Sequence, residues 1–96
     1  MNQKHIQACI EEGFRKAFIQ DEDIIAMFPG NGDENDNELI IRKAEGGLFK
    51  AWILTGPYSM RSPKNITRPS GPGSYSPVYR FKTVREAARL AIQNPY

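Results

Sequence analysis

Five of the seven prolines and three of the eight glycines fall between residues 56 and 77, and this clustering constrains the fold more than any other feature of the chain. Proline removes a backbone donor and fixes φ, so the stretch cannot run through the middle of a sheet or continue a helix. It reads as a long loop or irregular excursion, a kind of segment that compact domains carry mainly for function. A chain of 96 residues has room for one core, which predicts a single domain over 1–96.

Ahead of the loop, Ile6, Ile10, Phe14, Ala17 and Phe18 recur at helical spacing and predict a helix over 3–19, with Gly13 inside it as a weak point or a close backbone approach. Asp21, Glu22 and Asp23 then precede the run Ile24-Ile25-Ala26-Met27-Phe28. Carboxylates suit the positive end of a helix dipole, so a second short helix is the first choice for 24–28; a run this short fits a buried strand equally. Pro29-Gly30 ends it, and residues 30–38 read as a polar, turn-forming loop. The clearest strand signal comes next. Leu39-Ile40-Ile41 and the run from Leu48 to Thr55 flank Glu45-Gly46-Gly47, which predicts a β-hairpin.

Beyond the loop, Val78-Tyr79-Arg80-Phe81-Lys82 alternates like a half-buried strand. Thr83-Val84-Arg85-Glu86 has the form of a capping box, opening a helix that carries Val84, Ala87, Ala88, Ala91 and Ile92 and closes at Pro95. Together these elements predict an α+β fold: a small antiparallel sheet of about three strands with N-terminal and C-terminal helices packed on one face.

Charge divides the chain in two. Residues 1–47 carry five Lys/Arg against ten Asp/Glu, a balance of minus five, whereas residues 48–96 carry eight Lys/Arg against Glu86 alone, a balance of plus seven. Either the halves neutralise each other across the fold, or the basic half meets an acidic partner. The second possibility predicts a non-enzymatic binding module that presents a basic loop, strand and helix to nucleic acid or an acidic protein surface. Its partner-binding residues are Tyr58, Arg61, Lys64, Arg68, Tyr75, Tyr79, Arg80, Lys82, Arg85 and Arg89. Arg85 and Arg89 are four apart and share a helix face, and interleaved tyrosines suit stacking on unpaired bases. The alternative is a small protein-protein inhibitor or adaptor of the phage or plasmid accessory type, with the acidic segment 21–38 acting as a nucleic-acid mimic.

Other chemistries lack parts. Asp33, Asn35 and Asn37 alternate like the first ligands of a calcium loop, but its sixth and twelfth positions hold Glu38 and Ala44 in place of glycine and glutamate. His5 and Cys9 stand one helical turn apart, and with a single His and a single Cys in the chain a four-ligand zinc site is not expected. No nucleophile elbow, P-loop or metalloprotease motif is present, so neither an enzyme nor a bound cofactor is predicted. One cysteine precludes an internal disulfide and points to a cytoplasmic setting. No run approaches the ~20 apolar residues of a membrane span, so no membrane partner is expected.

Two families offer partial likenesses. The order helix, hairpin, strand, helix is similar to that of double-stranded-RNA-binding domains, except that the place of their lysine cluster holds Thr83-Val84-Arg85-Glu86-Ala87-Ala88-Arg89. The stretch Tyr79 to Ala88 is similar to the last strand and helix of the three-stranded arm-binding domains of phage-type integrases. A strand leading through a capping box into an alanine-rich helix is common to many α+β domains, and the chain is assigned to neither family.

Overall fold

A chain that starts with Asn at its second position carries a ready helix cap, and α1 (Gln3–Glu11) begins there. The Asn2 side chain accepts from the Lys4 and His5 amides, while the Asn2 N–H donates to Nδ1 of His5 at 3.1 Å, so His5 closes the capping box. The computed structural model describes residues 1–28, 37–55, 62–65, 68–69, 77–78 and 80–93.

The predicted helix over 3–19 stops early. Gly13 adopts φ +111°, a conformation that favours glycine, and a Cβ there would lie 3.0 Å from Cδ1 of Ile92, so the chain leaves the helix at this residue. Residues beyond it form β1 (Lys16–Gln20), which pairs antiparallel with β2 (Asp23–Phe28). The short helix preferred for 24–28 is therefore replaced by the strand that the same run also allowed. Asp21 and Glu22 do not open a helix; at φ +51° and +70° they form the two-residue hairpin turn between these strands. Two consecutive positive φ values are the signature of a type I′ turn, whose twist matches the flanking strands.

β3 (Asn37–Lys43) and β4 (Phe49–Thr55) form the predicted hairpin around a 3-10 turn, Glu45–Gly47. Gly46 and Gly47 both sit at φ +72°, and the Ala44 N–H donates to the Leu48 carbonyl at 2.8 Å to close the turn. A short strand, β5 (Ser62–Asn65), pairs with the end of β4, so part of the stretch 56–77 expected to be a long loop is an edge strand instead, the place in a sheet where a proline such as Pro63 is tolerated. The sheet is thus an antiparallel meander in the order β1-β2-β3-β4-β5, four full strands and a short fifth where about three were expected. β6 (Arg68–Pro69) and β7 (Pro77–Val78) form a separate two-stranded ladder. Of the strand expected over 78–82, Tyr79 lies outside the described residues, Val78 lies in that ladder and Phe81 forms a bridge. There the Phe49 and Phe81 amides exchange hydrogen bonds of 2.8 and 2.7 Å.

The last element, α2 (Val84–Gln93), starts where the capping residue was expected: the Glu86 N–H donates to Oγ1 of Thr83 at 3.1 Å. Both helices lie on one face of the sheet. α1 packs on β1 and β2, α2 on β3 and β4, and the helices contact each other. Between them and the strands lies a single core in which Ile6, Cys9, Val84, Ala87, Ala88 and Ala91 meet Ile24, Ala26, Leu39, Ile41, Ala51 and Ile53. Phe14 seals one end, edge-on to Phe28 at 5.2 Å. The alanines of α2 let its backbone approach the sheet closely. The fold is α+β.

Two substitutions test the turns. Glu22→Gly relieves a left-handed non-glycine residue and is expected to stabilise the protein by roughly 1 kcal/mol in urea denaturation. Gly13→Ala combines positive φ with contact against Ile92 and is expected to destabilise by more than about 1 kcal/mol.

Candidate functional site

The two cations of α2 were expected to face a partner; the structure turns both toward α1. Glu11 and Glu12 end that helix, and no basic residue occupies its last turn. Carboxylates at a helix C-terminus face the negative end of the dipole, which leaves them in need of cations from elsewhere. Arg85 supplies Nη2 to Glu11 Oε1 at 2.6 Å and Nη1 to Glu12 Oε2 at 2.9 Å. Arg89, one turn on, donates from Nε to Glu12 Oε1 at 2.8 Å and from Nη2 to Oε2 at 3.3 Å. The side chain of Glu12 is only 13% exposed between them. Arg80 in turn reaches Glu45, Nη2 to Oε1, at 3.4 Å.

Three of the ten proposed partner-binding residues are therefore bound to acids from the first half of the chain. Lys82 is exposed just before α2. Lys64 and Arg68 are placed by their backbones on β5 and β6, on different sheets. Tyr58, Arg61, Tyr75 and Tyr79 lie outside the described residues. Arg80, Arg85 and Arg89 thus each meet a carboxylate of the first half, Glu45, Glu11 or Glu12. A cleft of about 330 Å³ does open between α1, β4 and the start of α2, lined by His5, Ala8, Phe49, Lys82, Thr83, Val84 and Arg85. Of its polar groups, Arg85 is held by glutamates and His5 by the helix cap.

The surface missed in the sequence is the other face of the sheet. Strand alternation puts Ile24, Ala26, Leu39, Ile41, Ala51 and Ile53 toward the helices, so their neighbours point away. Pairing register aligns Phe18, Ile25, Ile40 and Trp52 in one row across four strands. Met27 and Leu54 stand in the adjacent row, with Lys16 and Glu38. All six apolar side chains are half-buried, and among the described residues no helix packs on them. Arg42 is fixed at the rim by a two-pronged pair with Asp23, Nε to Oδ1 at 2.9 Å and Nη2 to Oδ2 at 2.8 Å. Its guanidinium carbon lies 4.9 Å from the centroid of Trp52, and Nζ of Lys16 lies 5.5 Å from that of Phe18. Lys50 is opposite Arg42 in register. Aromatic rings beside cations can stack on planar groups and hold anions near them; on this face the cations are Lys16 and Lys50, since the charge of Arg42 is met by Asp23.

No family model matches the chain, and neither the curated proteins nor the solved structures contain a significant match to it.

The remaining candidates have structural explanations. Cys9 is fully buried, and burial pushes its thiol up to about 11, against a smaller opposing pull from the Arg85 charge. His5 is held below its ordinary value of 6.5 by burial, with the α-amino group and Lys43 adding to the effect. Its ring also packs edge-on to Phe49 at 5.8 Å.

These shifts set an acid dependence. A histidine whose folded pKa lies below its unfolded value binds fewer protons in the native state, so its contribution is complete above about 6.5 and is lost as pH falls through the folded value. Glu11, through its hydrogen bond from Arg85, and Glu12, through those from Arg89 and Arg85, are likewise held below 4.5. Their contribution is complete above that value and is lost as pH falls further. Stability measured by urea denaturation is expected to decline in two stages on acidification, and Glu12→Gln is expected to shrink the lower stage and to reduce stability at neutral pH. Cys9 is expected to react with a thiol reagent only at the rate of unfolding.

Proposed function

We propose that the chain is a non-enzymatic binding module for an acidic partner, nucleic acid with unpaired bases, and that the open sheet face carries the contact. The observation behind this reading is the row that runs from Trp52 to Phe18, with a cation from a neighbouring row over each ring, Arg42 over Trp52 and Lys16 over Phe18. Single strands bind to such surfaces because every base has a π-face to stack and every linkage has a phosphate for a nearby cation. The arginines of α2 contribute to the rigidity of the platform rather than to the contact, since their charges are spent on Glu11 and Glu12. Basic residues beyond position 60 that lie outside this face, Lys82 among them, add to the field that attracts a polyanion.

Trp52 is the only tryptophan, so its fluorescence reports on this face alone. Titration with single-stranded oligonucleotides at low salt is expected to quench it, and binding is expected to weaken steeply as salt is added. Duplex DNA and heparin, which offer charge without unpaired bases, are expected to bind more weakly and to leave the emission unchanged. Trp52→Ala, with folding verified by circular dichroism, is expected to lose about 1–3 kcal/mol of binding free energy. Absence of binding to every polyanion at low salt overturns the proposal.

The alternative, an inhibitor or adaptor that uses the acidic segment 21–38 to imitate nucleic acid, draws support from the exposed carboxylates of Asp21 and Glu22 at the hairpin tip. It requires capture of one stoichiometric protein partner that survives nuclease treatment.

A further inference from the structure

β1 is the outermost strand of the sheet, and among the described residues nothing pairs with its outer side. In a two-residue hairpin the residues flanking the turn exchange both hydrogen bonds, and such pairs alternate along the ladder. Gln20, Phe18 and Lys16 therefore direct their backbone groups at Asp23, Ile25 and Met27, and those of Ala17 and Ile19 point outward. Residues 17–19 contain no charge and no proline, two of the devices that keep an edge strand from pairing. The exposed large hydrophobic residues in the described part of the chain are Ile10, at 39%, and Ile19, at 43%. They belong to α1 and β1, which pack together at this edge.

The edge is also complementary to itself. Laid antiparallel on a second copy about Phe18, the strand sets Phe18 against Phe18, Ala17 against Ile19 and Lys16 against Gln20. The cationic end, Arg15-Lys16, lies beside the anionic end, Asp21-Glu22, of the other copy, and no like charges are opposed. Parity agrees as well: Ala17 and Ile19, whose backbone groups face outward, become the hydrogen-bonded pairs. We infer that β1 is a self-association edge through which two copies of the chain join their sheets about a two-fold axis at Phe18. An axis perpendicular to the sheet keeps the helices of both copies on one side and lays the two open faces side by side on the other. The inference stands independently of what those faces bind.

Pairing along one short edge buries less than the ~800 Å² per partner of a standard interface, so the association is weak and calls for a concentration series. Sedimentation velocity from micromolar to millimolar protein is expected to show conversion of monomer to dimer. Over the same range the Ala17 and Ile19 amides are expected to gain protection from hydrogen exchange, while those of Lys16 and Phe18 stay as they were. Ile19→Lys, at an exposed side chain and with an unchanged circular dichroism spectrum, is expected to weaken dimerisation by at least about tenfold. Lys16→Glu sets like charges at both ends and is expected to act in the same direction. A chain that stays monomeric throughout overturns the inference. So does a dimer whose Ala17 and Ile19 amides exchange as in the monomer, or one that forms equally well with Ile19→Lys.

Discussion

The single apolar layer between the helices and one face of the sheet is the interaction on which everything else in this structure depends. Helices of nine and ten residues are marginal by themselves in water, because helix nucleation is unfavourable and short segments repay it poorly. They persist here because each lays a stripe on the sheet: Ile6, Ala8 and Cys9 from α1, and Val84, Ala87, Ala88 and Ala91 from α2. The small side chains of α2 bring it close enough for Ile92 to meet the backbone at Gly13, so the turn that ends α1 and the seating of α2 are one constraint. A chain folding around this layer must bring its two ends together.

That closeness governs the electrostatics. Glu11 and Glu12 come to the end of α1 without cations of their own, and the nearest element across the core, α2, carries Arg85 and Arg89 on the facing side. Exposed ion pairs contribute little individually, but Glu12 is enclosed by two guanidinium groups and shares both oxygens between them. The same cations counted along the sequence suggest a basic surface; folded, they serve as the C-terminal complement of α1. The charge asymmetry of the chain is in this part of the molecule a property of its topology.

Much of the fold was legible in the sequence. The β3–β4 hairpin was marked by its two glycines, α2 by Thr83, and the beginning of α1 by its apolar spacing. The elements between Gly13 and Phe28 were not, because the run Ile24 to Phe28 is apolar on both sides of a strand and so has no period to read. Ala17 and Phe18 fell into helical spacing with Ile10 and Phe14, yet they lie on opposite faces of β1. Asp21-Glu22 is a rare pair for a type I′ turn, where Asn-Gly is usual, so its turn chemistry pointed elsewhere. Asn2 as a cap and His5 as its reciprocal partner were present in the sequence but were not read, since histidine rarely fills the capping-box position. For the site, the arginines were legible as residues, while their acceptors, more than seventy positions away, were not.

Among the described residues the sheet has apolar side chains on both faces and helices on only one, which leaves burial there unfinished. Strands that serve solely to hold helices can alternate apolar with polar, as antiparallel sheets with one wet face do. β2, β3 and β4 do not, since Ile25, Met27, Ile40, Trp52 and Leu54 all point away from the core. Their apolar area contributes nothing to the layer beneath the helices, so the role of those side chains has to be sought on the face where they stand. Phe18 joins that face to the β1 edge, since it ends the row that starts at Trp52 and also sits at the centre of the strand whose outer side has no partner among the described residues. A substitution there acts on the open face and on the edge together, whereas Trp52 and Ile19 address them separately. Ile19, opposite the core residue Ile24, stands on the helix side of β1, so the strand shows one large apolar side chain to each face of the sheet.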